Sequence, residues 1–163
     1  MQIGHARIDD RLIHGQVVTA WLQYLGKCDE ILIADDKARK DQFLQNVLRM
    51  TAPPNMSLRV RSVDETVADF QTKSNDTRRV LLLTRGPGQM LRLIEGGVPI
   101  AFINLGGMGA GPGRRNLQRS VSVSEEDIEQ FRQILGKGVK IELKMVPSDR
   151  GVDLAALLNE RGK

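Results

Sequence analysis

Short β-branched and apolar runs alternate with segments whose apolar residues recur every three or four positions, and this alternation most constrains how the 163-residue chain can fold. Strands are expected at residues 3–8, 30–34, 58–63, 80–84, 100–105, 120–123 and 139–146. Between them, helical spacing appears in Val17, Val18, Trp21, Leu22 and Leu25 before Gly26, and in Phe43, Leu44, Val47 and Leu48 before Pro53-Pro54. It returns in Val63, Val67 and Phe70, and in Met90, Leu91, Leu93 and Ile94, which close on Gly96-Gly97. The last two sets are Ile128, Phe131, Ile134 and Leu135 before Gly136, then Leu154, Leu157 and Leu158. Ser62 with Glu65 and Ser124 with Asp127 have the spacing of capping boxes, in which a hydroxyl accepts an orphan N–H at a helix start. The pattern predicts an α/β fold: a single domain over residues 1–163, with a mainly parallel mixed sheet of about seven strands and helices on both faces. Residues 120–123 follow a loop rather than a helix, so an antiparallel portion is expected there.

The same pattern leaves little room for other classes. No stretch approaches the roughly 20 consecutive apolar residues that span a bilayer, and no charged-then-apolar leader opens the sequence. Cys28 is the one cysteine, which excludes an intrachain disulfide framework and suits a reducing, cytoplasmic compartment. His5 and His14 are the two histidines, too few for a histidine-rich metal site, and no metal or cofactor is expected. The net charge of +4 fits acidic or phosphorylated partners as well as an ordinary solvated surface. Nucleic acid is disfavoured as a partner, because one Trp, one Tyr and four Phe provide few rings for stacking.

In parallel sheets ligands sit beyond the carboxyl ends of the strands, and there the first strand-to-helix connection reads Arg7-Ile8-Asp9-Asp10-Arg11-Leu12-Ile13-His14-Gly15-Gln16-Val17. A neutral imidazole can act as a nucleophile, and a helix start offers free N–H groups and a positive dipole end to an anion. Arg7 and Arg11 are of the type that binds phosphate bidentately, while Asp9 and Asp10 can pair with them or hold an imidazole tautomer. The same four charges also suit a structural ion-pair cluster at a strand end. His5, inside the first strand, reads as core or edge filling. Asp35-Asp36 reads as helix capping, and Pro147-Ser148-Asp149-Arg150 as a turn in which Asp149 or Ser148 caps the last helix. The glycine-rich segment 106–113 lacks the Gly-Lys-Ser/Thr ending of a phosphate-binding loop and any G-x-G-x-x-G match, so no tightly bound ATP or NAD is expected. It is either a flexible surface loop or a flap whose arginines serve an anionic site.

The stretch Arg7–Val17 followed by Trp21 resembles the signature of the IIB component of the mannose/fructose/sorbose family of the bacterial phosphoenolpyruvate-dependent sugar phosphotransferase system. The resemblance runs nearly end to end, through Ala34-Asp35-Asp36, Ala52-Pro53-Pro54, Gly96-Gly97-Val98-Pro99, Ile103-Asn104-Leu105-Gly106-Gly107-Met108, Val121-Ser122-Val123 and Met145-Val146-Pro147-Ser148-Asp149. It implies that His14 takes a phosphoryl group from a phosphohistidine on a IIA partner. His14 would then pass it to a sugar hydroxyl as the sugar crosses through membrane IIC and IID components. That is the activity of a protein-N(pi)-phosphohistidine–sugar phosphotransferase, cytoplasmic and peripheral to the transporter. By the same resemblance Arg11 holds the phosphoryl oxygens, Arg7 assists, Asp9 or Asp10 orients the arginines or the ring, and Gly15 and Gln16 complete the motif. Arg114, Arg115 and Arg119 would form a basic rim facing an acidic surface of IIA. Some family members fuse IIA and IIB; this chain has no IIA portion, so a separate IIA chain is expected. The stretch 109–113 looks smaller than usual, and no residue selects among mannose, fructose, sorbose, glucose and N-acetylgalactosamine. A nucleic-acid-binding module and a non-transferring regulatory scaffold remain as alternatives, and a homodimer is compatible with the sequence.

Overall fold

The runs Glu-Ile-Leu-Ile-Ala and Arg-Val-Leu-Leu-Leu-Thr are apolar on both sides of an extended chain, so each strand needs helices above and below it. A computed structural model, which describes residues 1–72 and 75–161, provides both layers. The elements in chain order are β1 (Gln2–Asp9), α1 (Gly15–Leu25), β2 (Glu30–Ala34), α2 (Asp36–Lys40), α3 (Gln42–Thr51), β3 (Ser57–Arg61), α4 (Val63–Thr72) and β4 (Arg79–Thr84). They continue with α5 (Pro87–Glu95), β5 (Phe102–Gly107), β6 (Arg115–Gln118), β7 (Val121–Val123), α6 (Glu125–Gly136), β8 (Lys140–Leu143), β9 (Val152–Asp153) and α7 (Leu154–Arg161).

The main sheet has seven strands in the order β3-β2-β4-β1-β5-β8-β9 and is parallel except for β9, which runs antiparallel to β8. Alternate residues of each strand feed two separate cores. Ile31, Ile33, Leu81 and Leu83 pack against Val18 and Leu22 of α1, Ala38 of α2 and Leu48 of α3. Leu32, Ala34, Val80 and Leu82 face the other way, toward the layer built from α4, α5, α6 and α7. β1 lies between β4 and β5, with Ile8 opposite both Thr84 and Leu105. Three carboxyl ends therefore converge at the centre of the sheet, and the connection carrying His14 leaves from the middle one.

The capping motifs act as their spacing predicts: Ser62 with Glu65 and Ser124 with Asp127 exchange reciprocal bonds at the starts of α4 and α6. Asp35 caps the short α2 by accepting from the Ala38 N–H. The antiparallel portion is placed differently from expectation. Residues 121–123 do not join the main sheet but pair with β6 in a separate two-stranded ribbon, and the antiparallel member of the main sheet is β9. The second correction concerns the turn after β8. Asp149 accepts from the backbone of Met145 and Val146 and so closes its own turn, whereas the last helix is capped by Asp153, which accepts from Ala156. Phe131 of α6 is 0% exposed in the larger core. Phe131→Ala should cost about 3–5 kcal/mol, read as a lower urea midpoint with an unchanged slope.

Candidate active site

On β1 the side chains alternate. Ala6 and Ile8 enter the larger core, while His5 and Arg7 turn toward Trp21 of α1, and Asp9 follows them on that side. After Asp9 the chain turns sharply, with the Leu12 N–H bonded to the Asp9 carbonyl at 2.9 Å. Leu12 adopts φ 58°, a left-handed conformation that costs a residue with a side chain about 1–2 kcal/mol. Its side chain is 1% exposed in the smaller core, and this burial offsets the strain and anchors the turn. His14 is then the flanking residue of α1, with extended backbone angles and a carbonyl that accepts from Val17 and Val18. Its side chain makes no capping bond, so the imidazole is free to fold back onto Asp9.

The ring is held at both nitrogens. Nε2 lies 2.8 Å from Asp9 Oδ2, and Nδ1 lies 2.9 Å from Nη2 of the exposed Arg11. A carboxylate only accepts and a guanidinium only donates, so this pairing assigns the proton to Nε2 and leaves the Nδ1 lone pair facing Arg11. Asp9 is itself fixed on two further sides, by Arg7 Nη2 at 3.0 Å on Oδ2 and by the Arg11 N–H at 3.1 Å on Oδ1. Arg7 and Asp9 are each 1% exposed, whereas the His14 side chain is 21% exposed. Burial pulls the Arg7 guanidinium below its ordinary range, and the Asp9 charge and hydrogen bond oppose that pull. The first N–H groups of α1 have no intrahelical acceptors, so both Arg11 and the helix N-terminus that follows His14 favour negative charge on this side of the ring.

Asp10 is not part of this group. Its carboxylate turns away and accepts from the Gly109 N–H, tying the glycine-rich segment to the turn. That segment divides in two: Gly106 and Gly107 are buried at the end of β5 against Arg7 and Asp9, while residues 109–116 are exposed. Arg114 pairs with Asp127 at 3.4 Å and Arg115 lies 3.8 Å from Glu125, while Arg119 donates to the Arg150 carbonyl. His5 stacks on Trp21 with ring centroids 4.4 Å apart, its Nε2 buried without a partner. Three contributors went unrecognised in the sequence: Asn104, Trp21 as a lid, and the Lys144–Met145 backbone. Asn104 had a signal, since it is a polar residue inside the apolar run Ile-Asn-Leu of a strand expected to be buried on both faces. Among the described residues no group of three or more His, Cys, Asp or Glu could hold a metal ion, and no helix is long and apolar enough to cross a membrane.

Fold and site together define a mainly parallel α/β domain in which a partly exposed, helix-flanking histidine stands between a buried carboxylate and an exposed arginine. A family model for the PTS system sorbose subfamily IIB component matches residues 3–163, and the chain belongs to this family of sugar phosphotransferase system components. It is 39% identical to the sorbose-specific EIIB component of Klebsiella pneumoniae over 98% of this chain and 97% of that one. It is 35% identical to the mannose-specific EIIAB component of Escherichia coli K12, matching all of this chain and 50% of the longer protein. The crystal structure of the IIBSor domain of the sorbose permease from Klebsiella pneumoniae superposes with a TM-score of 0.93, at 39% identity and over 98% of each chain.

Burial pushes the His5 imidazole down to about 4, with a hydrogen bond to Asn104 acting against the shift and the Arg7 charge adding to it. Between pH 6.5 and 4 the unfolded chain therefore binds a proton at His5 that the folded protein does not, and stability falls as pH falls through that window. Urea midpoints at pH 7.5 and 5 should show this loss in the wild type and a smaller loss in His5→Phe.

Proposed function

We propose that His14 is the phosphoryl-carrying residue of this IIB component. Its Nδ1 takes the group from a phosphohistidine on a IIA donor, and gives it to a hydroxyl of a hexose or amino sugar moving through membrane IIC and IID components. The observation that carries this reading is the paired restraint on the ring: Asp9 holds the Nε2 proton, and Nδ1 is left as a nucleophile beside Arg11. In the transfer the Nδ1 lone pair forms the N–P bond as the donor histidine's N–P bond breaks. Positive charge developing on the imidazole is met by Asp9, while Arg11 and the α1 N–H groups meet the phosphoryl oxygens. Passing the group on reverses the bond changes at His14, with the sugar oxygen as acceptor and the hydroxyl proton released. The donor is another protein, so no nucleotide pocket is required.

Positioning and charge stabilisation supply most of the catalysis in phosphoryl transfer, which makes the placement of these groups more telling than any single reactive side chain. Such a carrier works in the cytoplasm at the inner face of its transporter, and it meets two partners in turn at the same exposed nitrogen. Gly15 and Gln16 are the first two residues of α1, directly after His14.

Intact-mass analysis after incubation with phosphoenolpyruvate, the general phosphotransferase proteins and a IIA partner tests this reading. One acid-labile phosphoryl group is expected on the wild type and none on His14→Ala, whose urea midpoint should match the wild type. A phosphorylated His14→Ala would overturn the assignment, and an unmodified wild type would return the basic surface to nucleic-acid or scaffold readings. Arg11→Ala should slow acceptance on the order of 10³-fold, measured by rapid quench, because Arg11 faces the transferring group directly.

A further inference from the structure

Resting on the reading of His14 Nδ1 as the acceptor, we infer that Asn104 is a positioning residue: through Arg7 and Asp9 it determines which imidazole nitrogen carries the proton. Asn104 sits on β5 directly across from Arg7 and is 1% exposed. Its Oδ1 accepts from Arg7 Nη1, and its Nδ2 donates to the Lys144 carbonyl at 2.8 Å. The side-chain amide is therefore locked from both sides. Turning it over would set its NH2 against the guanidinium, donor facing donor.

Arg7 is correspondingly immobile. Nη1 also reaches the Lys144 carbonyl at 3.1 Å, the Trp21 ring covers the guanidinium at 5.8 Å, and Nη2 is aimed at Asp9. Gly106 forms the remaining wall: a Cβ there would fall 2.0 Å from Arg7 Nη2. A guanidinium that is 1% exposed and enclosed in this way does not reach a phosphoryl group outside the protein. Its charge acts on Asp9, and Arg11 is left as the arginine that faces the anion.

The consequence for His14 follows from proton positions. With Arg7 in place, Asp9 is paired as a carboxylate and accepts from Nε2, so Nδ1 carries no proton and turns its lone pair toward Arg11. If Arg7 shifts, a buried carboxylate loses its cation, and there are two ways to relieve that. Asp9 takes up a proton and donates to Nε2, which moves the ring proton to Nδ1. Alternatively the ring takes a second proton and becomes imidazolium. Both place a proton on Nδ1 and remove the nucleophile. Asn104 thus acts on the reacting nitrogen through two intervening side chains, Arg7 and Asp9, without touching it.

Long-range ¹H–¹⁵N spectra of the His14 ring test this independently of phosphorylation. The resting wild type at pH 8 should show the Nε2–H tautomer, and an Nδ1–H tautomer there would overturn the proposal. Asn104→Leu should populate the Nδ1–H tautomer or raise the His14 titration midpoint, and should slow phosphoryl acceptance by about 10- to 100-fold, as for loss of outer partners of metal-bound histidines. Gly106→Ala keeps every polar group and sets its Cβ directly against the Arg7 guanidinium, so the same ring signature is expected from it even if Asn104→Leu does not fold. Variants that fold with an unchanged signature and titration would reduce Asn104 to a fastener between β5 and β8. A ring that responds in a protein no IIA phosphorylates would leave the positioning network standing and remove only the carrier reading.

Discussion

The ion pair between Arg7 and Asp9 is the interaction on which the site depends, and it is buried at the carboxyl end of the central strand. Taking two charges out of water costs several kcal/mol per ion, and apolar residues of similar volume would commonly hold a sheet together as well. The pair is therefore poorly explained as a device for stability. What an apolar substitute lacks is a buried carboxylate, paired with a guanidinium, that points at an imidazole. Arg7 pairs with Asp9, Asp9 holds the ring, and the surrounding acceptors, the Asn104 amide and the Lys144 carbonyl, satisfy the rest of the guanidinium. A half-satisfied version of this network would be worse than none.

Topology makes the network affordable. β1 has β4 on one side and β5 on the other, so apart from Asp9 on its own strand the groups surrounding Arg7 come from β5, from the segment after β8 and from α1. Trp21 closes the assembly by stacking on His5, covering Arg7 and donating from Nε1 to the Met145 carbonyl. One indole thus ties α1, the helix that presents His14, to the loop that supports Arg7. The left-handed Leu12 turn completes the link, since it brings the chain from the buried end of β1 to His14, the residue flanking α1, five residues after Asp9.

Most of this architecture is legible in the sequence because parallel strands and amphipathic helices carry strong periodicities, and the capping boxes at Ser62 and Ser124 mark helix starts by themselves. β9 is two residues long and β6 is largely exposed, so neither has a pattern to read. The choice between Asp9 and Asp10 was open to a simpler argument: strand alternation places residues 5, 7 and 9 on one face, and residue 10 lies beyond the strand end. Asp149 was misassigned because a turn acid can close its own turn or cap the following helix, and only the start of α7 at Leu154 decides between them. Asn104 and Gly106 are harder, because their partner is nearly 100 positions away and the contact exists only after β5 pairs with β1.

The two arginines of the motif show how far residue type alone misleads. In sequence Arg7 and Arg11 are equivalent candidates for an anion, four positions apart on either side of two aspartates. In the folded protein one is enclosed and the other exposed. An enclosed guanidinium is held by fixed acceptors and undergoes no reorganisation when charge moves nearby, which suits a constant field on Asp9. An exposed one can follow a phosphoryl group as it arrives and leaves, and it must do so twice if the group is both taken and given. A carrier that binds its phosphoryl group too well would not release it. In the carrier role proposed for His14, one positive charge behind the carboxylate and one in front of the ring would keep the imidazole nucleophilic without deepening the well into which a phosphoryl group falls.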